Sequence, residues 1–264
     1  MQPSGQGGHL CIIKLKITHT MKSLSTLVLV LCFYISATAQ NIQSLDNFEK
    51  ILISPKIEVE LVQGEAPSIS WEAINIDESK VRINQKRNKL AIYLEDAKLT
   101  TKYAKGKYGW KYPMYNEDVK VKAVVTYVSL KRIEIRGEEN ITILSDLDVD
   151  KKMVIKAYGA SNIKIEGINA NKLKTVLIGE NELEIKSGVT KNQKIKTIGE
   201  NSIVSNNLST SKTKASAIGE NQMSLSVSDI LQIWAIGASD IRIMGNPNLY
   251  KGLVIGENEI SLKH

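Results

Sequence analysis

The segment Gly179-Glu180-Asn181-Glu182-Leu183 recurs as Gly199-Glu200-Asn201-Ser202-Ile203 and again as Gly219-Glu220-Asn221-Gln222-Met223. Related segments begin at Gly137 (Gly-Glu-Glu-Asn-Ile), Gly159 (Gly-Ala-Ser-Asn-Ile), Gly237 (Gly-Ala-Ser-Asp-Ile) and Gly256 (Gly-Glu-Asn-Glu-Ile). Successive glycines stand 22, 20, 20, 20, 18 and 19 residues apart. A fixed period of this length marks a repeat architecture in which each unit is one supersecondary element.

The period inside the unit identifies it. Four residues after each Gly the side chain is apolar: Ile141, Ile163, Leu183, Ile203, Met223, Ile241 and Ile260. Six residues after, it is apolar again (Ile143, Ile165, Ile185, Leu225, Ile243, Leu262), with Ser205 the exception. Alternation by two is the strand period. A second run precedes each Gly, as in Lys194-Ile195-Lys196-Thr197-Ile198, so each unit offers two short strands and two turns. One unit cannot bury its apolar face alone, but stacked units can, each strand pairing with its counterpart at about 4.8 Å. The Gly supplies a positive φ at a sharp turn. The neighbouring Asn tolerates that conformation, and stacked Asn side chains can hydrogen-bond up the ladder. The sequence therefore predicts an all-β fold: a β-helix-like solenoid of about seven twenty-residue coils over 136–264.

Residues 40–135 read as an irregular N-terminal β region, either irregular coils or a flanking sheet that covers the open end. Phe48-Glu49-Lys50-Ile51-Leu52-Ile53 and Ile57-Glu58-Val59-Glu60-Leu61-Val62 alternate, but the twenty-residue period is lost. Upstream, Met21-Lys22, the apolar run Leu24 to Ala37 and the small residues Ala37-Thr38-Ala39 read as a signal peptide over 21–39, cleaved before Gln40. The run is shorter than the roughly 20 residues of a membrane span. Residues 1–20 read as a mis-assigned upstream extension, and no integral membrane segment is expected after cleavage.

Cleavage changes the available chemistry. Both cysteines (Cys11, Cys32) and two of the three histidines (His9, His19) fall in the removed segment, leaving only His264. Nucleophilic Ser-His or Cys-His pairs and the usual zinc sites lose their residues. No cofactor is expected, and the chain reads as a non-enzyme. The alternative is a carbohydrate-active β-helix enzyme working with carboxylates. Losing Lys14, Lys16 and Lys22 lowers the formal charge from +7 to +4, a mixed surface that does not point to nucleic acid. Asp146, Asp148 and Asp150 alternate like a calcium loop, but the sixth loop position is Lys151 and the twelfth is Ala157. With Leu147 and Val149 between them, they read as the wet side of a strand.

Two constellations remain. The segment 102–118 gathers Tyr103, Tyr108, Trp110, Tyr112 and Tyr115, five of the chain's fourteen aromatics, with Lys102, Lys105, Lys107 and Lys111 interleaved. Gly106, Gly109 and Pro113 make it a loop. Rings with cations can stack on sugars or a partner's surface, and the ligand-binding candidates are Tyr103, Tyr108, Trp110, Tyr112, Tyr115, Lys107 and Lys111. The other reading is a loop that caps the solenoid with a satellite core. Glu180, Glu200 and Glu220 repeat in three successive coils and read as a solvated edge, with a weak cation site as the alternative. No other metal site is expected.

The chain resembles the putative auto-transporter adhesin head domain (head-GIN domain) family over about residues 45–264. The resemblance rests on Asn47-Phe48-Glu49-Lys50-Ile51, Val59-Glu60-Leu61-Val62-Gln63-Gly64, Val124-Val125-Thr126-Tyr127 with Leu130-Lys131-Arg132-Ile133, and the Gly-Ala-Ser and Gly-Glu-Asn turns. It implies an exported bacterial binding, adhesion or structural module in the periplasm, at the outer cell surface or secreted. The 102–118 loop itself points to a glycan or a surface protein as partner, and a homo-oligomer is open. The family supplies no catalytic residues to carry over.

Overall fold

The computed structural model describes residues 42–105 and 111–263. The signal-peptide reading of 21–39 and the extension 1–20 lie outside the described residues. Among the described residues strand dominates, with turns and loops between the strands and one 3-10 turn at Glu78–Lys80.

The strands are β1 (Ile42–Ser44), β2 (Lys50–Ile53), β3 (Ile57–Gln63), β4 (Ser68–Ile74), β5 (Val81–Lys86) and β6 (Lys89–Leu94). A small hairpin, β7 (Tyr103–Lys105) with β8 (Lys111–Pro113), follows, then β9 (Val121–Tyr127) and β10 (Arg132–Gly137). The repeat region holds β11 (Asn140–Gly159), β12 (Asn162–Gly179), β13 (Glu182–Ile185), β14 (Gly188–Met244), β15 (Asn248–Ile255) and β16 (Asn258–Lys263).

Pairing along the repeat is parallel and keeps repeat positions in register. Gly137 pairs with Gly159, Gly159 with Gly179 and Gly179 with Gly199. Ile141 meets Ile163, and Ile163 meets Leu183. This is a β-solenoid of about seven turns, as the spacing of the glycines predicts.

Each coil has three straight runs, one more than the alternation suggested. In β11 and β12 the paired runs are 140–143 with 162–165, 146–149 with 167–170, and 152–159 with 172–179, separated by register shifts. Leu147 and Val149 point inward from the middle run, with the Asp triplet outside. The shifts also account for the one spacing of 22. The first coil turns its corners with Leu144-Ser145 and Asp150-Lys151, where the next uses only Glu166 and Asn171.

The N-terminal strands continue this stack. β2 pairs in parallel with β10 and β6, and β3 pairs in parallel with β11 and β9. Antiparallel strands then finish the edges, β5 on β6, β4 on β9 and β1 on β4. Unpaired edges invite association, and these strands cover them at this end.

The core is aliphatic and runs continuously from Phe48 to Ile243. Its composition drifts along the axis, because Thr190, Gln193, Thr197, Ser205, Thr210 and Thr213 are also buried. Several of these bond to one another or to backbone: Thr210 Oγ1 lies 2.9 Å from Thr213 Oγ1 and donates to Ser226 O at 2.6 Å.

Candidate functional site

The aromatic segment divides between core and surface. Tyr115 is only 6% exposed and packs in the core, its OH donating to Glu95 O at 2.6 Å. Burial, and then the Asp96 and Glu95 carboxylates, push its phenol above the ordinary tyrosine range. Tyr115 was expected among the outward contacts, and the structure makes it the loop's anchor. The base is pinned beside it, Met114 N donating to Lys102 O (2.8 Å) and Lys102 N to Asp96 O (3.1 Å). Tyr103 faces the other way, 66% exposed, and Lys111 is exposed too. Tyr112 takes its place in the β7–β8 pairing opposite Ala104. Lys107, Tyr108 and Trp110 lie outside the described residues.

Tyr103 lines a cleft of about 800 Å³ between the base of this loop and the first glycine turn. Leu99, Lys56, Lys102, Glu139 and Tyr158 line it with Tyr103. The cleft's wall is built by the turn that precedes the glycine series. Lys56 adopts φ 69°, and its N–H donates to Glu139 Oε1 at 2.6 Å, while Glu138 N donates to Glu139 Oε2 at 2.9 Å. Burial pushes the Glu139 carboxyl up, against these backbone donors, which pull it down. The Arg136 guanidinium lies 5.0 Å from the Tyr158 ring centre, and Lys102 is held by Asp96 at 2.6 Å. The cleft thus offers two rings, an aliphatic side chain, a fixed carboxyl and cations. Sequence reading missed Lys56, Glu139 and Tyr158, because they come from three coils and meet only through the stacking.

Glu180, Glu200 and Glu220 line a long groove of about 730 Å³, together with Glu182, Asp240, Glu257 and Glu259. Under it runs a buried ladder of the residues two after each Gly. Asn181 Nδ2 donates to Asn201 Oδ1 (3.0 Å), and Asn201 Nδ2 to Asn221 Oδ1 (3.3 Å). Among the described residues, no group of three or more His, Cys, Asp or Glu side chains is placed to hold a metal ion. The Asp triplet sits on exposed strand, Asp148 accepting from Asn169 Nδ2 at 2.8 Å.

The outer face of the strands that lead into the glycines carries opposite charge. One column, five residues before the Gly, reads Arg132, Val154, Lys174 and Lys194 in paired register, with Lys50 and Lys89 extending it across β2 and β6. Lys214 holds the same position in the next coil. The next column adds Lys156 and Lys196 on either side of Val176. Burial, then Lys152, Lys156, Lys194 and Arg132, hold the Lys174 ammonium below the ordinary lysine range. The column beside the glycines is apolar: Tyr158, Ile178 and Ile198 are paired in register, as are Ile236 and Ile255.

The family model described as "Putative auto-transporter adhesin, head GIN domain" matches residues 47–247. The chain belongs to this family. The head GIN match opens one residue before the buried Phe48 and ends before β15, yet Gly256 continues the glycine stack beyond it. Solved structures share the fold. A putative adhesin from Bacteroides fragilis is 17% identical, with a TM-score of 0.71 over 85% of this chain and 96% of that one. A putative adhesin from Parabacteroides merdae is 16% identical, with a TM-score of 0.56 over 86% and 96%. A protein described as a putative lipid binding protein from Parabacteroides distasonis is 17% identical, with a TM-score of 0.55 over 86% and 96%. At these identities the likeness shows the fold alone, and function has to be argued from the site. No curated protein matches.

Proposed function

We propose that the chain is an exported, non-catalytic head GIN module that attaches to a glycan through the cleft beside the 102–118 loop. The observation that carries this reading is that Tyr103, Tyr158 and Glu139 line one cleft of about 800 Å³. Rings give flat apolar surface for sugar faces, while a few fixed polar groups select the hydroxyl pattern. Lys56, Lys102 and Glu139 are such groups, and Trp110 on the same loop would extend the contact. Support for a binding role also comes from the adhesins that share the fold, and export rests on the segment Met21 to Ala39.

The test is a glycan array probed with the compact unit Gln40–His264. Wild type should retain a defined set of glycans. Tyr103→Ala, Tyr158→Ala and Trp110→Ala should each weaken retention at least about tenfold with little change in melting temperature. Retention that survives all three substitutions would overturn the assignment, and capture of a surface protein in place of any glycan would redirect it. Amino-terminal sequencing of protein from the cell envelope should give Gln40; an intact Met21 would remove the export reading.

A further inference from the structure

The flat face formed by the strands leading into the glycines segregates two kinds of chemistry that solvent alone does not require together. Its cations are stacked. Arg132, Lys174 and Lys194 follow one another in paired register with a single Val154 between them, and Lys214 continues the line. On the three outward columns from Arg132 onward, the only carboxylate among the described residues is Glu134, already held by Arg136 at 2.8 Å. Asp229 reaches the rim, 3.9 Å from Lys212. Adjacent strands are about 4.8 Å apart, so these ammonium groups repel at short range and gain from an anionic surface laid across them.

Alongside runs an aliphatic strip that a soluble polyanion would leave idle. Ile178, Ile198, Ile218, Ile236 and Ile255 each immediately precede a stacked glycine. Exposure rises along the strip, with Ile218 and Ile236 both at 40% and Ile255 at 52%. Trp234 stands between strip and cations, with Lys214 Nζ 4.3 Å from its ring centre. Lysines flanking apolar side chains, with a Trp at the boundary, match a bilayer interface, in which phosphates lie beside acyl chains.

We propose that this lysine–isoleucine face docks the solenoid flat against an anionic lipid bilayer, independently of the cleft. The lysine columns meet lipid phosphates, and the isoleucine strip with Trp234 enters the region between headgroups. The acidic groove of Glu180, Glu200 and Glu220 lies on the turn beyond the glycines, so charge alone orients the molecule on the membrane.

Co-sedimentation of the unit Gln40–His264 with phosphatidylcholine vesicles, with and without phosphatidylglycerol, tests this; the apolar run 24–37 is then absent and cannot contribute. Binding should require phosphatidylglycerol and fall with added salt. Replacing Lys174, Lys194 and Lys214 together by Glu should weaken it about a hundredfold or more. Ile218→Ser with Ile236→Ser should weaken it about tenfold while the salt dependence persists. Thermal melts of each variant establish that it is folded, and Glu200→Gln serves as a matched control that should bind as wild type does. Equal sedimentation with neutral vesicles, or no sedimentation with either, would overturn the proposal. So would binding of dextran sulfate that matches the vesicles in strength and ignores the isoleucine substitutions, an outcome that would assign the face to acidic polysaccharide.

Discussion

A Cβ placed on Gly219 would stand 2.5 Å from the carbonyl oxygen of Gly199, one coil below. The same relation recurs with Gly199 over Gly179 at 2.4 Å and Gly256 over Gly237 at 2.2 Å. The repeated residue is therefore required twice, once by its own backbone, where φ lies near +100°, and once by the coil beneath it. That double demand explains why glycine persists while its neighbours vary among Glu, Ala, Asn and Ser.

Gly199→Val should be severely destabilising. The residue sits at φ +102°, a region costly to any L side chain and most costly to a β-branched one, and the clashing atom belongs to backbone that cannot swing aside. A loss of about 3 kcal/mol or more is expected, read as a lower melting temperature or denaturant midpoint. A variant as stable as wild type would show that the turn is not built this way.

The asparagine ladder predicts effects of both signs. Asn201 Oδ1 accepts from Asn181 N and Asn181 Nδ2, and its own Nδ2 donates to Ile198 O and Asn221 Oδ1. Asn201→Ala strands these buried groups and should cost about 2–3 kcal/mol. One coil further the ladder breaks at Ser239, and Asn221 Nδ2 is left buried without a partner. Ser239→Asn restores an acceptor there and should raise stability by about 0.5–1.5 kcal/mol. Equilibrium denaturation of the two variants checks both signs, and destabilisation by Ser239→Asn would mean that the corner has no room for the amide.

How much of this was legible follows from where the period is written. The glycines fix the coil count, and Ile163 over Leu183 follows from the same spacing. The third run was hidden because a corner such as Glu166 or Asn171 is a single residue, too short an interruption to separate two strands in the pattern. The N-terminal coil was hidden because Lys56 turns the chain at a positive φ and long insertions separate β3, β6 and β9. Tyr115 and Tyr103 look alike in sequence, and only the packing of the chain shows that Tyr115 is the one in the core, its OH on Glu95 O. The basic face escaped notice because a formal net charge of +7 averages lysines on one surface with glutamates on another. Its signal was present all the same, in Lys174, Lys194 and Lys214 at a spacing of twenty.

The carboxylate comb should make stability depend on salt. Glu180, Glu200 and Glu220 line one groove at successive coils, and like charges about 5 Å apart repel by roughly 0.8 kcal/mol in water before screening. Glu200→Gln should be neutral or mildly stabilising at low ionic strength, with the difference shrinking as salt is added. Melting curves at low and high sodium chloride measure it. A loss of stability that salt does not change would mean that Glu200 makes a specific contact.

Tyr127 offers the most direct test of the packing at the N-terminal coils. Its ring is 1% exposed, and its OH is buried with the Ser145 side chain beside it but without a well-formed hydrogen bond. Burial, then the Asp146 and Asp148 carboxylates, push its pKa from 10.0 up to about 12. The folded state therefore holds the phenol proton more tightly than the unfolded chain. The stability tied to that proton is fully present below pH 10 and is lost as pH rises from 10 toward about 12, where the unfolded chain ionises first. Tyr127→Phe deletes a poorly bonded polar atom without opening a cavity larger than the hydroxyl. It should be neutral or stabilising by about 1 kcal/mol at pH 7. It should also flatten the alkaline fall in stability between pH 10 and 12. Paired denaturation series across that range decide the matter: a variant that is weaker at pH 7 and equally sensitive to alkali would show that the hydroxyl makes a bond that holds the coil together.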